Sequence, residues 1–177
     1  SAMAGNGAFM RIQGFAFIPI TAFALALTTF TGQNMGAGEY ERVRKGARFG
    51  AVFSMVLAET IGLLLYFGSE PLIALFSRDV EVIAFGVQKS RIASLFLWSL
   101  ALSHAMAGIF RGAGKSIVPM SVMLAVWCIF RIIFIQVGLS IVMDIRVVYW
   151  AYPVTWTISA VIFFIYYFSV DWMRQTK

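Results

Sequence analysis

Residues 109–116 read IFRGAGKS and end in the Gly-Lys-Ser triplet used by phosphate-cradling loops. Whether the triplet is such a loop decides between a soluble nucleotide-binding domain and a different architecture. A loop of that kind needs a glycine five residues before Gly114, where it starts the turn that aims backbone N–H groups at phosphate. That position is Ile109, and Gly108 falls one residue too early. A phosphate loop also follows a buried strand and opens a soluble helix. Here SLFLWSLALSHAMAGIF (94–110) precedes the triplet and IVPMSVMLAVWCIFRIIFIQVGL (117–139) follows it. Both flanks are long and apolar enough for membrane helices, so the triplet reads as the end of one helix and the start of the next.

Composition agrees. Of 177 residues, 60% are hydrophobic and 12% charged, against about a quarter charged in a soluble domain. A single cysteine, Cys128, and a single histidine, His104, exclude a disulfide framework and a His/Cys metal set. The +6 formal charge is read as the Lys/Arg bias of cytoplasmic loops and not as a nucleic-acid surface. The start, SAMAGNGAFMR, lacks the basic-then-apolar order of a cleavable signal, and Ser1 at the front suggests a piece of a longer chain.

Five segments qualify as spans: about 11–31, 48–67, 82–110, 117–143 and 147–170. The fold class that follows is an all-α, polytopic membrane helical bundle, because no alternating short strands of a β-barrel occur. Arg42, Arg44, Lys45 and Arg48 fall between spans one and two, Arg111 and Lys115 between spans three and four, and Arg174 and Lys177 in the tail. On the opposite side Arg78, Lys89, Arg91 and Arg146 are cancelled by Glu70, Asp79, Glu81 and Asp144. The first side is therefore expected to be cytoplasmic, with the C-terminus inside and the N-terminus outside. Such an arrangement anticipates a preceding span. Localisation in the cell (plasma or inner) membrane follows.

Gly36-Ala37-Gly38 follows span one and Gly112-Ala113-Gly114 follows span three. Both are expected to cap helices, with glycine taking the left-handed conformation and basic neighbours favouring the negative end of the dipole. Gln33 and Asn34, where span one leaves the membrane, are read as part of a helix termination in preference to a ligand site. Ser116 is expected to N-cap span four, with Pro119 in its first turns.

Taken together, FTGQNMGAGEYERVRKG (30–46) with the upstream GNGAFMRIQGFAFIPITAFA, SHAMAGIFRGAGKSIVPM (103–120) and PLIALFSRDVEVIAFG (71–86) resemble the multidrug and toxin extrusion (MATE) transporters. The resemblance covers nearly the whole chain. It implies twelve helices in two six-helix lobes around a cavity that alternates between the two sides of the membrane. It also implies export of cationic amphipathic drugs and toxins, driven by Na⁺ or H⁺ entry and not by ATP, with no cofactor. The five spans would be helices eight to twelve, most of the C-terminal lobe. Their partners would be helix seven and the N-terminal lobe of the same chain, small cationic substrates and membrane lipid, with no nucleic acid.

Ionisable groups inside the membrane each demand an explanation. Glu59 reads either as a proton or cation carrier or as a structural carboxylate, bonded to a neighbouring helix or paired with an arginine such as Arg131. His104 reads equally as a proton carrier and as a hydrogen-bonded structural residue. Arg131 is expected to be a counter-ion or a carbonyl anchor. Arg11 and Gln13, at the outer end of span one, either line the cavity mouth or snorkel, the latter favoured for Arg11. Pro19 and Pro153 are expected to interrupt their helices. One departure stands out: where relatives with a coupling site in this lobe carry an aspartate on helix ten, this chain has Leu100. Coupling would then involve His104 or Glu59, or lie in the other lobe. A lipid-linked oligosaccharide flippase of the same superfamily is the alternative function. An enzyme is not expected, since no Ser-His-Asp set, paired carboxylates or metal spacing is present.

Overall fold

The computed structural model describes residues 2–174, with side chains from Gly7 onward apart from that of Ala8; Ser1 and Lys177 lie outside the described residues. The elements are α1 (Ala2–Gly36), α2 (Tyr40–Ala74), α3 (Val80–Ser94), α4 (Leu97–Gly112), α5 (Ile117–Met123), a π-helical stretch (Leu124–Phe130), α6 (Arg131–Ile141) and α7 (Arg146–Ser169). No strand occurs among the described residues. α5, the π stretch and α6 run on as one apolar rod, Ile117–Ile141. That rod, α1, α2 and α7 are each long and apolar enough to cross a membrane, and α3 with α4, bent by 53°, passes the same test as a pair, with the shape of a broken span or a re-entrant loop.

Apolar side chains lie on all sides of these helices, as lipid requires. α1 buries Ala16, Ile20, Ala24 and Leu27 but exposes Phe15, Ile18 and Leu25, while α6 exposes Ile132, Ile133 and Val137 and buries nothing. Such surfaces suit a hydrocarbon solvent and would drive aggregation in water.

α4 is the axis. Almost every residue from Leu97 to Phe110 is buried, with α1, α2 and α7 packed around it. Small residues permit the closest approach: a Cβ at Gly108 would strike the Ala24 carbonyl oxygen, and one at Gly112 would strike that of Thr28. Two backbones in contact gain dispersion along their length, the usual adhesive between helices that no hydrophobic effect drives together in lipid. Gly46 and Gly50 of α2 take up Phe30 and Leu27 of α1 in the same way.

Both Gly-Ala-Gly stretches end their helices by one geometry. Gly38 has φ +75° and Gly114 φ +78°. After α1, Glu39 N–H donates to the Asn34 carbonyl (2.9 Å) and Gly38 N–H to that of Met35 (3.1 Å). After α4, Lys115 N–H donates to Phe110 (2.8 Å) and Gly114 N–H to Arg111 (3.0 Å). These paired bonds are Schellman motifs, which satisfy the orphan carbonyls of a helix end. The two caps are neighbours, since Gly112 packs on Thr28, Thr31 and Gly32.

Several expectations change. The connection after α1 is so short that α2 begins at Tyr40, and Arg42, Arg44, Lys45 and Arg48 belong to its first turns, Lys45 pairing with Glu41 at 2.7 Å. Ser116 makes no capping bond with its side chain. Pro19 and Pro153 sit inside helices that continue past them. The break falls instead in span three, at Leu95–Phe96, where there is no proline. Ser94 Oγ bonds back to the Ser90 carbonyl just before it, a local competitor that bends helices. At the far end of the bundle Asp144 accepts from the Arg146 backbone N–H (2.9 Å) and from its Nε (2.8 Å) as α7 starts. The backbone bond chiefly holds the Asp144 carboxyl below the usual range.

Candidate functional site

A seam of hydroxyl and aromatic groups runs inside the bundle where α4 faces α7 and the π stretch. On α4, Ser99 and Ser103 lie one turn apart and are fully buried. Ser103 Oγ donates to the Trp156 carbonyl (3.1 Å) or shares a proton with Ser159 Oγ (2.8 Å), and Thr157 Oγ1 lies 3.5 Å from Ser99 Oγ. Trp127 Nε1 donates to Ser159 Oγ (3.0 Å). Interhelical bonds of this kind are each worth about 0.6–2 kcal/mol in a membrane.

The π stretch aims two of these groups. A wider turn shifts the register of a helix by one residue and is common at functional positions; here it holds Trp127 and is followed at once by Arg131. Arg131 donates through Nη2 (2.6 Å) and Nε (3.2 Å) to Thr155 Oγ1, whose own hydroxyl donates to the Ala151 carbonyl (2.9 Å). Its guanidinium also lies 4.6 Å from the Tyr152 ring centroid and 5.6 Å from that of Trp127. Aromatic faces and a hydroxyl thus solvate a charge that lipid cannot.

On the other side of Trp127 stands His104. Its ring meets Trp127 edge-on at 5.5 Å and Phe17 of α1 at 5.3 Å. Its Nε2 is buried with no hydrogen-bond partner. The seam therefore joins two of the residues anticipated from sequence, His104 and Arg131, through a tryptophan that was not. Leu100, one turn earlier on α4, is wholly buried.

Glu59 lies elsewhere. Its Oε2 accepts from the Trp98 backbone N–H at 3.2 Å, the second residue of α4. Three residues on, a Cβ at Gly62 would strike the Ser94 carbonyl oxygen. One face of α2 thus cradles the break in span three, with Glu59 on the positive end of the α4 dipole. No ion pair joins Glu59 to Arg131; their partners are Trp98 and Thr155.

Lys89, expected as an outer-side charge, is only 2% exposed. Its Nζ sits 4.7 Å from the Tyr152 centroid, 5.0 Å from Phe9 and 5.9 Å from Tyr149. Tyr152 consequently lies between two cations. A lone lysine near the outer end of a span reads as an interface charge and carries no sequence signal of burial. Arg11 is exposed with its guanidinium 5.9 Å from the Phe76 ring, and Gln13 is half-buried on the same helix. Neither reaches the seam residues described. Gln33 and Asn34 belong to the α1 ending, the Asn34 amide donating to the Phe30 carbonyl at 2.8 Å.

The sequence matches the model of the MatE family over residues 1–137. A probable multidrug resistance protein NorM from Thermotoga maritima is 30% identical over 127 residues, 71% of this chain and 27% of the relative. An FAD transporter from Shewanella oneidensis is 32% identical over 83 residues, 47% of this chain and 18% of the relative. A solved structure of the MATE transporter ClbM in complex with Rb⁺ superposes with a TM-score of 0.86 at 22% identity, covering 99% of this chain and 39% of that one. The chain thus spans less than two-fifths of each of these proteins.

Proposed function

The chain belongs to the MatE family, and from that premise we propose that it forms most of one lobe of a cation-coupled antiporter exporting amphipathic organic compounds by alternating access. The cavity would form against a second lobe of the same parent chain, preceded by one further helix, with the basic end of the bundle and the C-terminus on the cytoplasmic side. The energy source is an ion gradient. Nucleotide has no part in it, a reading supported by Gly114 and Lys115, which serve a Schellman cap.

His104 carries the proposal for the coupling site. An imidazole with an unpartnered Nε2 inside a hydroxyl seam has a vacant nitrogen for a proton. An imidazole nitrogen takes up H⁺, so the coupling ion read from His104 is H⁺ and not Na⁺; Arg131, across Trp127, and Arg111, on the same helix, oppose any cation in the seam. For the cargo, cationic amphipathic drugs are the first reading, supported by the probable multidrug resistance relative. One observation favours a second reading, an anionic aromatic substrate: Lys89 and Arg131 both face Tyr152, and one relative is an FAD transporter.

The test uses the full-length parent protein in energised vesicles. Export of an ethidium-like dye under an imposed pH gradient is expected, and His104→Gln should flatten its pH dependence while leaving protein yield unchanged. Movement of a flavin nucleotide without movement of dye would select the second cargo. No movement of either under a pH or a Na⁺ gradient would overturn the antiporter.

A further inference from the structure

A groove of about 580 Å³ runs between α2 and α7 over a face of α4 other than the one that carries Ser99 and Ser103. Its floor is Trp98, Leu102 and Met106, at helical spacing on α4, and its walls include Met55 and Phe164. These positions on α4 cover about 12 Å at 1.5 Å per residue, close to the depth of one leaflet and less than half of the ~30 Å hydrocarbon core. At its basic end the groove opens into a second, polar hollow lined by Arg44, Arg48, Tyr167 and Asp171.

Two features of this mouth point to a ligand. Arg44 and Arg48 are four residues apart on α2, so one helical face carries two guanidiniums and then, in line, the apolar wall of Val52 and Met55. Both arginines are exposed and, among the described residues, neither is in an ion pair. Tyr167 borders groove and hollow, is 8% exposed, and its hydroxyl is buried without a hydrogen-bond partner among the described residues. A buried hydroxyl in that condition forfeits the bond it made to water in the unfolded chain unless something else supplies one. Nearby Trp172 packs on Tyr167, the pairing of amphipathic aromatics that marks headgroup level.

We propose that this is a binding site for an anionic phospholipid. One acyl chain lies in the groove, and the phosphodiester sits between Arg44 and Arg48, where a small turn of the Tyr167 side chain brings its hydroxyl, buried as it stands, to a phosphate oxygen. Asp171 at the rim opposes an anion, but Arg44, Arg48 and the adjoining Arg174 outweigh it. The occupant is a lipid, and a packed transmembrane helix does not fit as well: a helix needs an apolar seat through the full core, whereas this one ends at half-depth and terminates in paired cations. The proposal does not depend on what the parent protein transports.

Native mass spectrometry of the full-length parent, released from detergent after equilibration with phosphatidylglycerol or phosphatidylcholine of identical chains, tests it without any gradient or substrate. Phosphatidylglycerol should be retained at least tenfold better, each arginine contributing about fivefold. R44Q together with R48Q should bring the two lipids level, and Tyr167→Phe should weaken retention of both, since each carries the phosphodiester. A photoreactive residue replacing Val52 should label lipid. Equal retention of both lipids by the unaltered protein, unchanged retention in the double variant, or labelling of another helix of the parent chain in place of lipid would overturn the site.

Discussion

At Glu59 the chemistry is decided by what the carboxylate faces. A mid-helix glutamate in an apolar span is costly, and its two readings, carrier or structural group, are indistinguishable from its neighbours in sequence. In the bundle it faces the first turn of α4 and accepts from Trp98 N–H, where four orphan donors and the positive dipole end welcome an anion. Glu59→Ala is expected to destabilise the parent protein by about 0.5–2 kcal/mol, the usual worth of such a cap. Glu59→Gln, which keeps the acceptor and loses the charge, should cost less. Thermal unfolding in detergent checks both, and transport in the Gln variant should stay coupled. Loss of coupling with stability intact would return Glu59 to the carrier role. His104 is the converse: its environment leaves Nε2 without the bond that a structural histidine would make.

At the level of elements, two helices end alike because the same three residues follow them. Gly38 and Gly114 each take positive φ, which costs an L-residue about 1–2 kcal/mol. Gly114→Ala should therefore lower stability by roughly that amount, and Gly38→Ala by a similar amount, whereas Gly36→Ala, with normal φ and open space for a Cβ, should be near neutral. Differential unfolding of the three variants reads this directly. The break in span three belongs to the same scale but has a different origin. No proline or glycine marks it; Ser90 and Ser94 loosen α3 locally, and Glu59 with Gly62 on a neighbouring helix receives the exposed turn. A window of hydropathy registers only continuous apolarity there. The π stretch is equally silent in sequence, since LAVWCIF has nothing that an ordinary helix would refuse.

For the molecule as a whole, α4 is a hub and α1 its closest partner. Gly108→Val would force a branched side chain against the Ala24 backbone, where the neighbour has no flexible end to move. A loss of about 1–3 kcal/mol is expected, seen as a lower unfolding temperature of the parent protein and accompanied by weaker transport at fixed protein yield. A valine at Gly14, where nothing lies within reach of a Cβ, serves as the control and should leave unfolding within about 0.5 kcal/mol. The outer rod of α5, the π stretch and α6 contributes little core, burying only Pro119 and Val126. Its hold on the lobe combines the polar seam, Trp127 to Ser159 and Arg131 to Thr155, with partly buried Val118, Val122 and Met123 packed on the core.

What the amino-acid order determined by itself was the solvent and the punctuation. Long apolar runs leave a backbone no home but membrane helices, paired Gly-Ala-Gly stretches fix where two of them stop, and the spacing around Lys115 removes a phosphate loop. Family resemblance was legible for the same reason, because those stops and their basic neighbours are local and ordered along the chain. Only the tertiary structure decided which polar groups meet. Glu59 acquired a helix end, Arg131 a threonine in place of a carboxylate, Lys89 a cage of three aromatic rings, and Tyr167 a hydroxyl with no partner, because each of those outcomes depends on side chains brought together from helices distant in sequence. Hydropathy is a property of a segment; the partner of a buried charge is a property of the packing.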